Sequence, residues 1–96
     1  MIESFGDGAT EDLFHGRNTS RVRRFPPDIV AAALNKLDVL NATHNVQDLR
    51  QPPSNHFEAL KRDLKGFYSI RVNNQWRLIF RWSENTALQV SFVDYH

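Results

Sequence analysis

Three arginines and a cluster at the chain's end are the groups here best suited to phosphate chemistry. Read as a strand, residues 75 to 82 alternate: Trp76, Leu78, Phe80 and Trp82 share one face, and Gln75, Arg77, Ile79 and Arg81 the other. The preceding run repeats this, with Ile70 and Val72 opposite Ser69, Arg71 and Asn73. A turn at Asn73 and Asn74 would bring Arg71 near Arg77 or Arg81 on one exposed face. Like charges set opposite each other cost stability, and a cost repeated on neighbouring strands suits a surface that meets a polyanion, phosphate being the commonest. The bland alternative is a solvated face, because arginine stems pack well over strands. The chain then ends Val93, Asp94, Tyr95, His96. Asp94 and the α-carboxylate favour a charged imidazole on His96 while facing arginines oppose it, and a histidine poised near neutrality suits proton transfer.

Other chemistries find little support. No two of His15, His44, His56 and His96 stand at metal-ligand spacing and no HExxH occurs, so no protein-bound metal or other cofactor is expected. There is no GxGxxG or Walker loop, and Gly6 and Gly8 flank a turn. Glu11 and Asp12 are adjacent on a short helix, face apart, and read as first-turn charges.

The elements that must position these groups divide at about residue 54. Residues 1 to 5 read as a short strand closed by Gly6, Asp7 and Gly8. Thr10 is the expected cap of a one- or two-turn helix with Leu13 and Phe14 inward and Gly16 as its stop. Residues 17 to 25 carry four arginines without periodicity and read as a loop. Pro27 opens the main helix, expected over roughly 27 to 42, in which Ile29, Val30, Ala33, Leu34, Leu37 and Leu40 form one stripe. Asn41 to Asn45 releases it, and Gln51 to Ser54 is a second break. Four strands follow: 57 to 61, 67 to 72, 75 to 82 and 87 to 93, with loops at 62 to 66, Asn73–Asn74 (asparagines tolerating positive φ) and 83 to 86. The expected class is α+β, in the order strand, helix, helix, four strands, with the helices on one face of the sheet.

The chain has 96 residues and no cysteine, which fits a single domain over 1–96 and leaves no disulfide or thiolate site. A chain of this length buries only about 60 to 65% of its unfolded surface, so its site should be an open groove. The net charge of +1 conceals an uneven distribution. Residues 1 to 48 carry five bases and seven acids; residues 49 to 96 carry seven bases and four acids. The N-terminus has neither a basic nor an apolar leader region, so neither a signal peptide nor a membrane anchor is expected and a cytoplasmic location is the default.

Glu58-Ala59-Leu60-Lys61, Gly66, the run Ser69-Ile70-Arg71-Val72-Asn73-Asn74-Gln75-Trp76-Arg77-Leu78-Ile79-Phe80 and the final Val93-Asp94-Tyr95-His96 together resemble the HigB branch of the RelE/ParE-like toxins. Asp48 to Pro53 resembles one branch of that family. The likeness runs end to end in element order, with its specific residues between 48 and 96. It implies a RelE-like fold with an antiparallel or mixed sheet. It also implies the toxin of a type II toxin–antitoxin pair: a ribosome-dependent endoribonuclease that cuts translated mRNA in the decoding site. The implied mechanism is metal-free, with the ribose 2′-hydroxyl attacking the adjacent phosphorus.

Carried over, the resemblance makes Arg77 the phosphate-stabilising arginine and Lys61 the strand lysine. Tyr95 and His96 become the C-terminal pair for stacking, orientation and proton transfer. Many members carry a histidine where this chain has Glu58, and His56 stands two residues earlier, so Glu58, His56 and His96 all remain candidate bases. Another member's arginine matches Asn73, and Arg71 can substitute for it. Arg71, Asn73, Arg81, Asp94 and Lys65 are the expected RNA contacts. The implied partners are a helix-turn-helix antitoxin of the HigA type, the ribosome and mRNA, with operator DNA reached only through the antitoxin and no membrane. A non-catalytic module that binds RNA, or binds the antitoxin as co-repressor, is the competing reading, and Glu58 in the histidine's place is the feature that favours it. The gyrase-directed relatives of the same fold are a third, less suited to the terminal DYH and the arginine-bearing strands.

Overall fold

In the computed structural model, which describes residues 1–94, two helices pack on one face of a four-stranded antiparallel sheet of order β1-β2-β3-β4. The helices are α1 (Gly8–Phe14) and α2 (Pro27–Ala42). The strands are β1 (Glu58–Ala59), β2 (Phe67–Arg71), β3 (Trp76–Ser83) and β4 (Thr86–Asp94). Among the described residues, no helix is long and apolar enough to cross a membrane.

Helix α2 matches its expected span because the signals are local: Pro27 fixes φ at the first turn and the apolar stripe has one period throughout. Ile29, Ala33, Leu37 and Leu40 are buried against Ile70, Leu78, Phe80, Val90 and Phe92 from the sheet. Each large apolar side chain so buried contributes about 1.5–3 kcal/mol of transfer free energy. The β3–β4 turn places Glu84 and Asn85 at φ 50° and 66°, a two-residue hairpin turn of matching twist.

Four expectations are corrected. Residues 1 to 5 do not form a strand; Ile2 and Phe5 make isolated parallel bridges to Ala87 and Val90 of β4. Between those two bridges Gln89 turns to φ 53° and the β3–β4 register shifts, so a continuous ladder cannot form. The cap of α1 is Asp7, whose carboxylate accepts from the Thr10 amide at 2.7 Å. Thr10 is instead fully buried, its Oγ accepting from the Phe92 amide at 2.9 Å and tying α1 to β4. The strand expected over 57 to 61 shortens to Glu58–Ala59, because His56 and Arg62 on either side adopt left-handed backbone at φ 44° and 59°. Asn73 and Asn74 are absent from the positive-φ residues. The turn closes through the Asn73 side chain, whose Oδ1 accepts from the amides of both Gln75 and Trp76 at 2.8 Å.

Candidate nucleic-acid interface

Strand alternation does place the arginines as their spacing requires. The β2–β3 register sets Arg71 directly opposite Arg77 and Phe67 opposite Arg81, on the sheet face away from the helices. On the other face, Trp76 stacks on Phe92 at 4.7 Å, and Phe25 meets both rings edge-on.

Arg77 is the best-held cation on this face. Its side chain is only 14% exposed, and Nη1 donates to Glu58 Oε1 at 3.1 Å, to the His56 carbonyl at 3.4 Å and to Ser69 Oγ. Glu58 pairs with Ser69 across β1–β2, and Ser69 with Ile79 across β2–β3; Arg77, two residues before Ile79 on the same face, reaches Ser69 and Glu58 diagonally across the sheet. Ser69 is fully buried, an unusual setting for a hydroxyl that is explained by its partner. A guanidinium so far removed from water is stable only with such partners.

Arg71 is held from two sides. Its Nε donates to the Asn73 carbonyl at 3.1 Å, and its Nη1 lies 3.2 Å from His56 Nε2. His56 follows a 3₁₀ turn, Pro53–Asn55, and that turn is anchored by the buried Asn55. The Asn55 amide donates to the carbonyls of Leu49 and Gln51 at 3.1 and 3.2 Å, and its oxygen accepts from Lys36 of α2. A buried asparagine beside a left-handed residue thus directs the exposed imidazole onto the arginine face.

The remaining expected residues are spread more widely. Arg81 lies four residues beyond Arg77, about 13 Å along the strand, and its guanidinium covers the Phe67 ring at 4.5 Å from the centroid. Lys61 and Lys65 bracket a 3₁₀ turn, Arg62–Leu64, both exposed and past the end of β1 rather than in it. Asn73 has its carbonyl and side-chain oxygens engaged by Arg71 and its own turn. Asp94 pairs with Trp76 and accepts from Gln75 Nε2 at 2.9 Å, which puts it on the Trp76 side of the sheet and not beside Arg77. Tyr95 and His96 lie outside the described residues.

Sequence reasoning missed two things. Ser69 sat on the arginine face by simple alternation but carried no charge to draw attention. Asp12, read as a surface first-turn charge, is buried and gathers the loop that follows. It accepts from Thr19 Oγ at 3.0 Å and Arg17 Nη1 at 3.3 Å, and pairs with Arg21 Nη2 at 3.2 Å. Burial pushes the Asp12 carboxyl up. The hydrogen bonds from Thr19 and Arg17 and the charges of Arg21 and Arg17 outweigh this and hold it below its usual range. The segment that looked like a featureless loop is therefore pinned to α1. It borders an open groove of about 480 Å³ on the helical side, lined by Val22, Arg23, Phe25, Pro27 and Val30.

The chain is 47% identical over 96 residues to Toxin HigB-1 of Vibrio cholerae, covering all of this chain and 98% of that protein. It is 31% identical over 97 residues to Endoribonuclease HigB of Proteus vulgaris, covering the whole of both. In fold it is similar to YoeB in the YoeB–YefM complex of Staphylococcus aureus, with a TM-score of 0.54 at 21% identity, covering 100% of this chain and 98% of that one. A YoeB/ParE toxin of Agrobacterium tumefaciens gives 0.53 at 17% identity, covering 99% of this chain and all of that one. The family model described as the RelE-like toxin HigB of type II toxin–antitoxin systems matches residues 3–96, and the chain belongs to that family.

Proposed function

We propose that the protein is a ribosome-dependent endoribonuclease, cutting translated mRNA in the cytoplasm by metal-free attack of a ribose 2′-hydroxyl on the adjacent phosphate. The observation that carries this reading is the Arg77 guanidinium, nearly buried against Ser69 and Glu58 and directly opposite Arg71. The transition state of this reaction concentrates negative charge on phosphorus-bound oxygens, and preorganised donors in a partly dry site stabilise it far more than mobile surface ones. Arg77 supplies that stabilisation, while Arg71, Lys61 and Lys65 bind flanking phosphates, with Arg81 farther along the strand. Glu58 or a histidine takes the 2′-hydroxyl proton, and Tyr95 or His96 protonates the departing 5′-oxygen. A face this open holds only a short stretch of strand around the scissile phosphate and relies on the ribosome to present it. The partner is an antitoxin of the helix-turn-helix HigA type, through which operator DNA is reached.

Expression under tight control, followed by mapping of mRNA 5′ ends, tests the reading. New ends are expected with the wild-type chain and not with Arg77→Ala or after deletion of His96; undiminished cleavage by either variant overturns the site. Purified protein should cut mRNA on translating ribosomes and leave free mRNA intact. The rival reading of a non-catalytic binder draws on the Glu58–Arg77 ion pair, which partly neutralises the arginine. A binder protects RNA and generates no new ends.

A further inference from the structure

His56 is an exposed imidazole at the junction of the two arginines. Extending the β1–β2 register, in which Glu58 pairs with Ser69, by two residues sets position 56 beside Arg71. The contact is made: His56 Nε2 lies 3.2 Å from Arg71 Nη1, and the His56 carbonyl accepts from Arg77 Nη1 at 3.4 Å. Guanidinium nitrogens only donate, so Nε2 is the accepting nitrogen, and in the neutral ring Nδ1 bears the hydrogen. The groups facing His56 are Arg71 from β2, Arg77 from β3 and Glu58 two residues on in β1. Glu58 is engaged in the same manner, one oxygen 3.1 Å from Arg77 Nη1, and is the rival that the experiment below must separate from His56.

We propose that His56 is the general base of the cleavage reaction, an assignment that rests on the function proposed above. When Arg71 turns its N–H from His56 to a phosphate oxygen of the bound strand, the Nε2 lone pair is released beside that phosphate. Nε2 takes the proton of the adjacent ribose 2′-hydroxyl, and the 2′-oxygen forms its bond to phosphorus. The bond from phosphorus to the 5′-oxygen breaks with its electron pair on that oxygen, which is protonated by the tail acid or by water. The products are a 2′,3′-cyclic phosphate and a free 5′-hydroxyl, and no oxidant, reductant or further reactant is needed.

The test is single-turnover cleavage of mRNA on translating ribosomes from pH 5 to 9, comparing wild type with His56→Gln, His56→Ala and Glu58→Gln, each variant first shown by thermal melting to be folded. A general base contributes about 10²–10⁴-fold. His56→Gln, which keeps an acceptor for Arg71, should lose at least about 100-fold and also lose the acid limb of the pH–rate profile. Glu58→Gln should keep that limb, and added imidazole should restore part of the rate to His56→Ala. If His56→Gln retains the acid limb, whatever its rate, His56 is not the base. Loss of the limb in Glu58→Gln instead overturns the assignment equally. In both cases an inactive Arg77→Ala leaves the endoribonuclease reading standing. A wild-type chain that makes no new ends overturns both.

Discussion

Glu58 and Arg77 are joined across the full width of β2, carboxylate to guanidinium at 3.1 Å, with the buried Ser69 hydroxyl beneath them on the intervening strand. The pair is asymmetric: the Arg77 side chain is 14% exposed and that of Glu58 52%. The arginine is thus fixed by its surroundings while the carboxylate can leave when a phosphate arrives.

Glu58→Gln should therefore affect affinity more than stability. An ion pair with one half-exposed partner contributes at most about 1 kcal/mol, so urea unfolding should show a loss no larger than that. Removal of the competing charge should tighten binding of a short single-stranded RNA several-fold at low salt, measured by fluorescence anisotropy, and the gain should shrink as salt is raised. Weaker binding would mean that Glu58 positions Arg77 more than it competes for it.

Ser69→Ala leaves the neighbouring strands intact and removes an acceptor from a nearly buried guanidinium. Hydrogen bonds to charged groups contribute about 1.5–3 kcal/mol, and a stability loss in that range is expected. Cleavage should fall by an order of magnitude or more through misplacement of Arg77. Unchanged cleavage would show that Ser69 does not position it.

Thr10→Val keeps the shape of a fully buried side chain and deletes the oxygen that accepts from the Phe92 amide. An orphaned buried N–H costs about 1–3 kcal/mol. For a domain of this size each kcal/mol lowers the melting temperature by roughly 4–8 °C. A melting temperature within a degree or two of wild type would show that Phe92 finds another acceptor.

Asp12 should make the fold sensitive to acid. Its folded carboxyl is held below the unfolded value by Thr19, Arg17 and Arg21. The stabilisation from this group is complete above the ordinary carboxylate range and is lost as pH falls through the lowered folded value. Unfolding free energies of wild type and Asp12→Asn, measured by urea titration from neutral pH downward, should therefore converge in acid. A difference that stays constant to the lowest pH would remove Asp12 as the cause.

Legibility followed the range over which each signal acts. The span of α2 and the cationic face of β2 and β3 could be read directly, because helical and strand periods are properties of a few consecutive residues. The short β1 could not, since its length is limited by left-handed backbone at His56 and Arg62, neither of which is a glycine. Thr10 misled because a threonine ahead of a helix is a good cap, and only the placement of β4 shows that its hydroxyl is needed elsewhere. Asp12 misled for the same reason: beside Glu11 it looks like dipole complementation, and its burial depends on how the following arginines fold back.

The sequence by itself determined the helical layer, the meander of strands, the arginines that share a face and, through its motifs, the toxin family. Tertiary structure alone decided which groups touch. Glu58, Ser69 and Arg77 meet only because three strands take one register, and His56 reaches Arg71 only because Asn55 buries its amide under the preceding turn. Such contacts join residues 8 to 21 positions apart in the chain. Periodicity carries no information at that distance; packing of the core and pairing of backbone hydrogen bonds supply it.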